Sequence, residues 1–376
     1  MPKADALITI DLGKIVENYR QLLSIFRGKT LAAAVKADAY GLGASIVAPA
    51  LARAGAESFF VASLEEGISL RMALTPTGRN FRIFILNGLG PGSEKDFIDH
   101  GLCPVLNSLA QIRSWAAQAE RQGTSLPCTI HLDTGMARLG LPDDEIEELI
   151  KDATPLNRLD VRAIMSHLAC ADDPDHALNE AQLTHFKDLA RQLPPAPLSI
   201  ANSAGVLLGP HYHFDMARPG IALYGGNPLS GAASPNNPPR NPMAPVVRLR
   251  GKILQVREVK ASKSVGYGAT HRLTDRARLA TVVLGYADGF MRSLSNRANA
   301  WIRGHQVPVV GRVSMDLVTL DISSLPENHA QPGLFVDFIG PDDGLDQLAR
   351  QAGTIPYEIL TRLGARLHRH YIAAKI

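Results

Sequence analysis

The chain has 376 residues, of which 45% are hydrophobic and 20% charged, enough to bury a large core and to build two domains. Its net charge is +3 with the basic residues dispersed, which argues against a nucleic-acid or membrane-surface footprint, and no apolar run is long enough to span a bilayer. The start, MPKADALITI, lacks the apolar core of a secretory signal, so cytoplasmic residence is the expectation.

A strand-like ITIDL (8–12) opens the chain, followed by a helical stretch with Ile15, Tyr19, Leu22 and Leu23 on one face. Eight short apolar runs come next, at 31–37, 58–63, 81–87, 103–107, 128–134, 161–168, 198–203 and 214–220. Between most of them lie segments of helical periodicity, among them 44–55, 108–123 and 179–193, while the last connection is short. Eight β/α repeats of this kind predict a (β/α)8 TIM-like barrel, whose sheet is covered by helices and accepts near-continuous apolar strands; an open doubly wound sheet is the competing arrangement. The segment 227–245 carries six prolines and reads as a linker. Beyond it, β-branched runs separated by Gly, Pro and Asn predict a mostly antiparallel β domain with one C-terminal helix near YEILTRLGARL. The predicted division is a barrel over 1–232, with its first strand free to join the β domain, and a β domain over 233–376. Cys103, Cys128 and Cys170 show no metal-ligand spacing and read as reduced, mostly buried small residues; no metal site is expected.

In a barrel of this type the C-terminal strand ends build the active site. The eight runs end at or near Lys36, Ser63, Asn87, Asn107, Asp133, His167, Ser203 and Arg218. Alone, Lys36 reads as a surface lysine, His167 as a structural histidine, and Asp133 with Arg138 as a surface ion pair. Gathered on one rim, a lysine, a histidine and an arginine demand a ligand or each other. Loops after strands seven and eight commonly hold phosphate; here Ser203 offers a hydroxyl, Gly220 permits close backbone approach, Ile221 offers an N–H, and Tyr40 lies within reach of a folded-back first turn. A lysine, a phosphate cradle and an arginine suit pyridoxal 5'-phosphate, with its aldehyde on Lys36 and its ring nitrogen facing Arg218.

AVKADAYGLG, HLDTGMARLG, SHLACAD, NSAG, ARPGIALYG, SVGYGATH, GYADG and GRVSMD occur in that order and resemble the motifs of the pyridoxal phosphate-dependent alanine racemases over nearly the whole chain. The resemblance implies interconversion of L- and D-alanine by two bases, Lys36 and Tyr267, with D-alanine going to peptidoglycan or catabolism. It implies that Tyr40, Ser203, Gly220 and Ile221 hold the phosphate and that Arg218 faces the pyridine nitrogen. His167 would orient Tyr267, Arg138 and the Met315 backbone would meet the substrate carboxylate, and Tyr286 would line the entrance. It further implies a homodimer in which Tyr267 and Met315 come from the other subunit. A phenol titrating near ~10 is a poor base at neutral pH, so Tyr267 needs the partner that His167 would supply.

Two positions depart from that pattern. His131 stands where many members carry a carbamylated lysine that positions the equivalent of Arg138, so carbamylation is not expected, and His131, an anion or a water is left to orient Arg138. Ala365 falls where a phosphate-contacting tyrosine is common, with Tyr371 as a possible replacement. The alternatives are a racemase of another small amino acid such as serine, or a non-catalytic pyridoxal phosphate-binding protein; the second domain with Tyr267 speaks against the latter.

Overall fold

The computed structural model describes residues 4–229, 240–340 and 344–374. The proline-rich stretch read as a linker falls largely on 230–239, outside the described residues. The chain divides into two compact units, one holding Val16–Leu223 and the other joining the N-terminal segment through Ile15 to Tyr224–Asn227 and to the chain from Asn241 onward.

Strand β1 (Ala6–Asp11) and helix α1 (Leu12–Ile25) open the chain. Ile15, Tyr19 and Leu22 are buried as the helical period requires, but Leu23 is 46% exposed and does not belong to that face. One residue past Leu22, it is rotated about 100° around the helix, off the buried stripe.

The parallel strands of the first unit are β2 (Thr30–Leu31), β3 (Ala33–Ala34), β4 (Ser58–Val61), β5 (Arg82–Ile85), β6 (Cys103–Leu106), β7 (Leu126–His131), β8 (Leu159–Met165), β9 (Leu198–Ser199) and β10 (Met216–Ala217). Strands β3 to β9 pair in sequence order, and β10 pairs with β2. Main-chain bonds from Ala32 N–H to Ala217 O (2.8 Å), Ala34 N–H to Pro219 O (2.9 Å) and Asp215 N–H to Leu198 O (3.1 Å) join the two sets and close the barrel. The expected eight runs are all present, the first broken into β2 and β3. Small and large residues interleave in one core cluster, with Ala32 and Ala34 against Phe60, Phe84, Cys103, Val105, Met165 and Met216. The covering helices follow the expected pattern: in Leu109–Gln122, Ser108 caps the first turn and Ile112, Trp115, Ala116 and Ala119 face inward. After β9 only a five-residue helix, Ser203–Leu207, and a 3-10 turn follow before β10.

The second unit contains β11 (Val247–Val259), β12 (Ser264–Val265), β13 (His271–Arg272), β14 (Ala277–Val283), β15 (Asn299–Ile302), β16 (His305–Pro308), β17 (Leu317–Asp321), β18 (Phe335–Ile339) and β19 (His368–Ile372). Its main sheet runs β16-β15-β18-β11-β1-β19, with β14 bridging β11 and β17. All of these pairs are antiparallel except β1 with β19. Strand β1 thus lies in this sheet. Where one C-terminal helix was expected there are two, Gly344–Ala352 and Pro356–Thr361, because Gly353 at φ 72° ends the first and Pro356 starts the second. Among the described residues no helix is long and apolar enough to cross a membrane.

Candidate active site

Each polar strand end named from the sequence sits at, or within a few residues of, the C-terminal end of a barrel strand. Lys36 follows β3 and is half-buried; the next four residues, Ala37, Asp38, Ala39 and Tyr40, all adopt left-handed backbone with φ from 51° to 56°. Such a run costs on the order of 1 kcal/mol per residue for non-glycine side chains and persists only if the surroundings hold it. Asp38 closes it by accepting Ala44 N–H on Oδ1 (2.7 Å) and Gly43 N–H on its carbonyl (2.8 Å). This turn buries Tyr40 and brings it back to the loop after β10. A Cβ built on Gly220 would lie 2.1 Å from the Tyr40 hydroxyl, so only glycine admits the phenol there.

Ser203, buried at the start of its short helix, accepts Gly220 N–H (2.8 Å) and Ala222 N–H (3.3 Å) on Oγ. Ile221 begins a 3-10 turn, Ile221–Tyr224, and its own N–H has no partner among the described residues. Tyr40, Ser203 and three successive amides therefore meet at one place, which is the donor-rich cradle a phosphate requires.

Arg218 is buried beneath this rim. It donates through Nη1 to Ser199 Oγ (2.5 Å) and through Nη2 to Ser166 O (2.6 Å) and His167 Nδ1 (3.3 Å). A guanidinium only donates, so His167 Nδ1 accepts and the neutral ring carries its proton on Nε2. Burial first, then Arg218, Arg138 and Lys36, push His167 well below the ordinary imidazole value. Burial likewise lowers Arg218 to about 10, still protonated near neutrality. Lys36 is lowered by burial and by Arg138 and Arg218, with Glu66 opposing.

The Asp133–Arg138 ion pair considered from the sequence does not form. Asp133 Oδ1 instead accepts the amides of Gly135 (3.0 Å), Met136 (2.9 Å) and Ala137 (3.2 Å), shaping the loop that carries Arg138. Burial pushes the Asp133 carboxyl up, but these amides hold it below its usual range. Arg138 is exposed, close enough to depress Lys36, His131 and His167.

His131 is 7% exposed, and its Nδ1 lies 2.7 Å from Asn107 Oδ1. The Asn107 amide nitrogen donates to Leu86 O (2.9 Å) and Val105 O (3.0 Å), which leaves its oxygen as the acceptor. His131 therefore carries its proton on Nδ1 and presents an Nε2 lone pair, an acceptor without negative charge. Asn107 was legible as a strand end but not in this role. Burial, then Arg218, lowers His131 from 6.5 to about 3. The sign follows: the folded state disfavours the charged ring, so this stability is complete above about pH 6.5 and is lost as pH falls towards 3, at up to about 1.4 kcal/mol per unit. His131→Asn should flatten part of the acid limb of melting temperature against pH; an unaltered slope would assign that limb to other groups.

In the second unit, Tyr267 occupies the tip of the β12–β13 hairpin between Gly266 (φ 71°) and Gly268 (φ 69°), and is 73% exposed. A Cβ on Gly266 would stand 3.2 Å from Arg312 N, so the hairpin lies directly against the GRVSMD segment. Within that segment the Met315 carbonyl accepts Ala287 N–H (3.0 Å) and Ser314 O accepts Tyr286 N–H (3.0 Å). Buried Asp288 explains the acid of GYADG: it accepts Gly285 N–H (2.9 Å) and pairs with Arg366 (3.1 Å), which also reaches Asp316 (2.7 Å). The motif's glycine and acid are structural, while Tyr286 and Met315 are left 44% and 53% exposed. The Met315 N–H has no partner among the described residues. Beside the hairpin, Arg292, Arg297 and Arg312 line a cavity of about 370 Å³ and have no acidic partner among the described residues. Ala365 lies in a turn before β19, and Tyr371 lies in β19 itself. Tyr357 stands 37% exposed in the last helix.

The rim of the first unit is a cationic receptor made of Lys36, Arg138 and Arg218, with two neutral imidazoles and an amide cradle. Pyridoxal phosphate fits it, being an anion with a phosphate for the cradle, an aldehyde for a depressed lysine and a ring nitrogen for one of the Arg218 N–H groups left over. Among the described residues no group of side chains is suited to a metal.

Comparison with known proteins bears on the whole chain. Residues 10–228 match the family profile described as alanine racemase, N-terminal domain, and 246–371 that of the C-terminal domain. An alanine racemase of Rhodospirillum rubrum is 50% identical over 98% of this chain and 96% of its own, and a catabolic alanine racemase of Mesorhizobium japonicum is 48% identical over 98% and 94%. Among solved structures, alanine racemase from Bartonella henselae with covalently bound pyridoxal phosphate superposes with a TM-score of 0.92 at 40% identity, covering 98% of this chain and 100% of that one. A biosynthetic alanine racemase from Pseudomonas aeruginosa gives 0.89 at 34% identity, with coverage of 98% and 100%.

Proposed function

The chain belongs to the alanine racemase family, whose enzymes use pyridoxal phosphate, and we propose that it interconverts L- and D-alanine with Lys36 and Tyr267 as opposing bases. The observation that supports this most directly is the joint placement of Lys36, Arg218, His167 and the Tyr40–Ser203–Gly220 cradle on one barrel rim. Bound pyridoxal phosphate supplies the electron sink that acidifies the α-proton of the amino acid. Tyr40, Ser203 and the amides of Gly220 and Ile221 hold its phosphate. Lys36 Nζ holds or gives up a proton on one face, and its burial among cations enlarges the free-amine fraction near neutrality. Arg218 keeps its proton and so disfavours a second one on the ring nitrogen, which limits the sink and with it side reactions such as transamination. Arg138 receives the substrate carboxylate together with the Met315 N–H of a second copy of the chain, and Tyr286 lines the approach to it.

Tyr267 would act on the opposite face, brought by a second copy of the chain in a homodimer with shared sites. Its 73% exposure, with Tyr286 and Met315 bared nearby, supports a covered face rather than a solvated one. The His167 Nε2–H, left over once Nδ1 is engaged, suits a donor to the Tyr267 oxygen. If sites are shared, mixing Lys36→Ala with Tyr267→Phe protein should recover about a quarter of wild-type activity, since half the dimers are mixed and each holds one intact site. Recovery near zero after verified chain exchange would place both bases in one chain.

Free cysteines without a disulfide suit a reducing, cytoplasmic setting. D-alanine would be supplied for peptidoglycan or drawn off for catabolism. The test of function is incubation of the purified protein with L-alanine in deuterated water, following optical rotation and α-deuterium. Formation of D-alanine with deuterium at the α-carbon is expected; exchange without D-alanine would overturn the assignment.

A further inference from the structure

Glu66 lies in the first turn of the helix Leu64–Leu74, three residues after the cap Ser63. A glutamate there ordinarily turns back to the amide of the capping residue. Glu66 does something else. Its Oε1 accepts Ala37 N–H and its Oε2 accepts Ala62 N–H, both at 2.7 Å. Ala62 is the residue directly after β4, and Ala37 is the first residue of the left-handed run and the immediate neighbour of Lys36. One carboxylate therefore ties two adjacent strand ends together, at the point where the backbone enters a conformation that alanine does not adopt unaided.

We propose that Glu66 is a positioning residue for Lys36, bolting the strained turn to β4 and supplying a carboxylate beside the cations around the amine. It acts through the main chain and the field, touching neither substrate nor cofactor, and the proposal deepens the assignment of Lys36 as the residue that takes the cofactor aldehyde. Among the groups acting on Lys36, burial, Arg138 and Arg218 favour the free amine and Glu66 favours the ammonium. Glutamine in its place offers one acceptor and one donor, so one of the two amides would face another N–H. Aspartate keeps the charge but falls one methylene short of bridging both.

The experiment follows the rate at which full-length protein, stripped of cofactor, takes up added pyridoxal 5'-phosphate as a borohydride-fixed adduct, across pH. Lys36→Ala, forming no such adduct, verifies the site; an adduct in that variant would be a failure of the Lys36 assignment and not of the role of Glu66. Glu66→Gln is expected to move the pH midpoint of adduct formation to lower pH and to slow the plateau rate by roughly tenfold, the scale of one lost hydrogen bond to a charged group. Glu66→Asp is expected to slow the plateau while leaving the midpoint in place. A merely structural residue would not move the midpoint, and wild-type midpoint and rate in Glu66→Gln would overturn the proposal. Should neither variant fold, amide exchange in the wild-type protein decides: Ala37 is exposed, so protection of its N–H is expected only from Glu66, and rapid exchange there would equally overturn it.

Discussion

Lys36→Ala should abolish racemisation, with a loss of at least about 10⁴-fold, because one substitution removes both the covalent anchor of the cofactor and a catalytic base. Lys36 is half-buried, and its ammonium is opposed by burial and by Arg138 and Arg218. Removing it relieves that conflict, so the melting temperature should hold or rise while activity disappears. The measurement pairs a racemisation rate in each direction with borohydride fixation of pyridoxal phosphate to the chain. Activity within tenfold of wild type, or undiminished fixation, would show that another amine carries the chemistry.

Tyr267→Phe is the second large effect, expected to lower kcat by roughly 10²- to 10⁴-fold in both directions, the usual contribution of a positioned acid or base. Both directions must fall together, since each needs a proton at the face that Tyr267 serves. Exchange with solvent deuterium gives the sharper reading. With Lys36 intact, one alanine enantiomer should still exchange its α-proton while its mirror image fails to appear. Loss of exchange from both enantiomers would show that the tyrosine organises the site instead of acting as a base. The hairpin tip is 73% exposed, so the substitution should leave folding stability nearly unchanged.

Much of this was readable from residue order. The apolar runs gave the barrel strands because a parallel sheet covered on both faces tolerates continuous hydrophobicity. The strand ends then located the rim, and GYGATH, GYADG and GRVSMD discriminated among barrel enzymes. Local pattern failed where another interaction overrode it. Leu23 was counted into a face that it leaves by one residue, and of the two C-terminal helices only the one after Pro356 was expected, Gly344–Ala352 being passed over. Asp133 and Arg138 looked like an ion pair because their charges are complementary, but three backbone amides offer Asp133 fixed donors that a solvated guanidinium does not match.

Residue identity and spacing were sufficient for the fold class, because periodicity and turn chemistry are local properties, and the ordered motifs named Lys36, Tyr267 and the residues proposed to hold phosphate as candidates. The tautomers of His131 and His167, the two amides on Glu66, and the depressed lysine depend on groups far apart in the chain. Asn107 lies 24 residues from His131, Arg218 lies 51 from His167, and Glu66 lies 29 from Ala37. Protonation and strain are set by whatever a closed barrel brings to its rim, and only barrel closure specifies those neighbours.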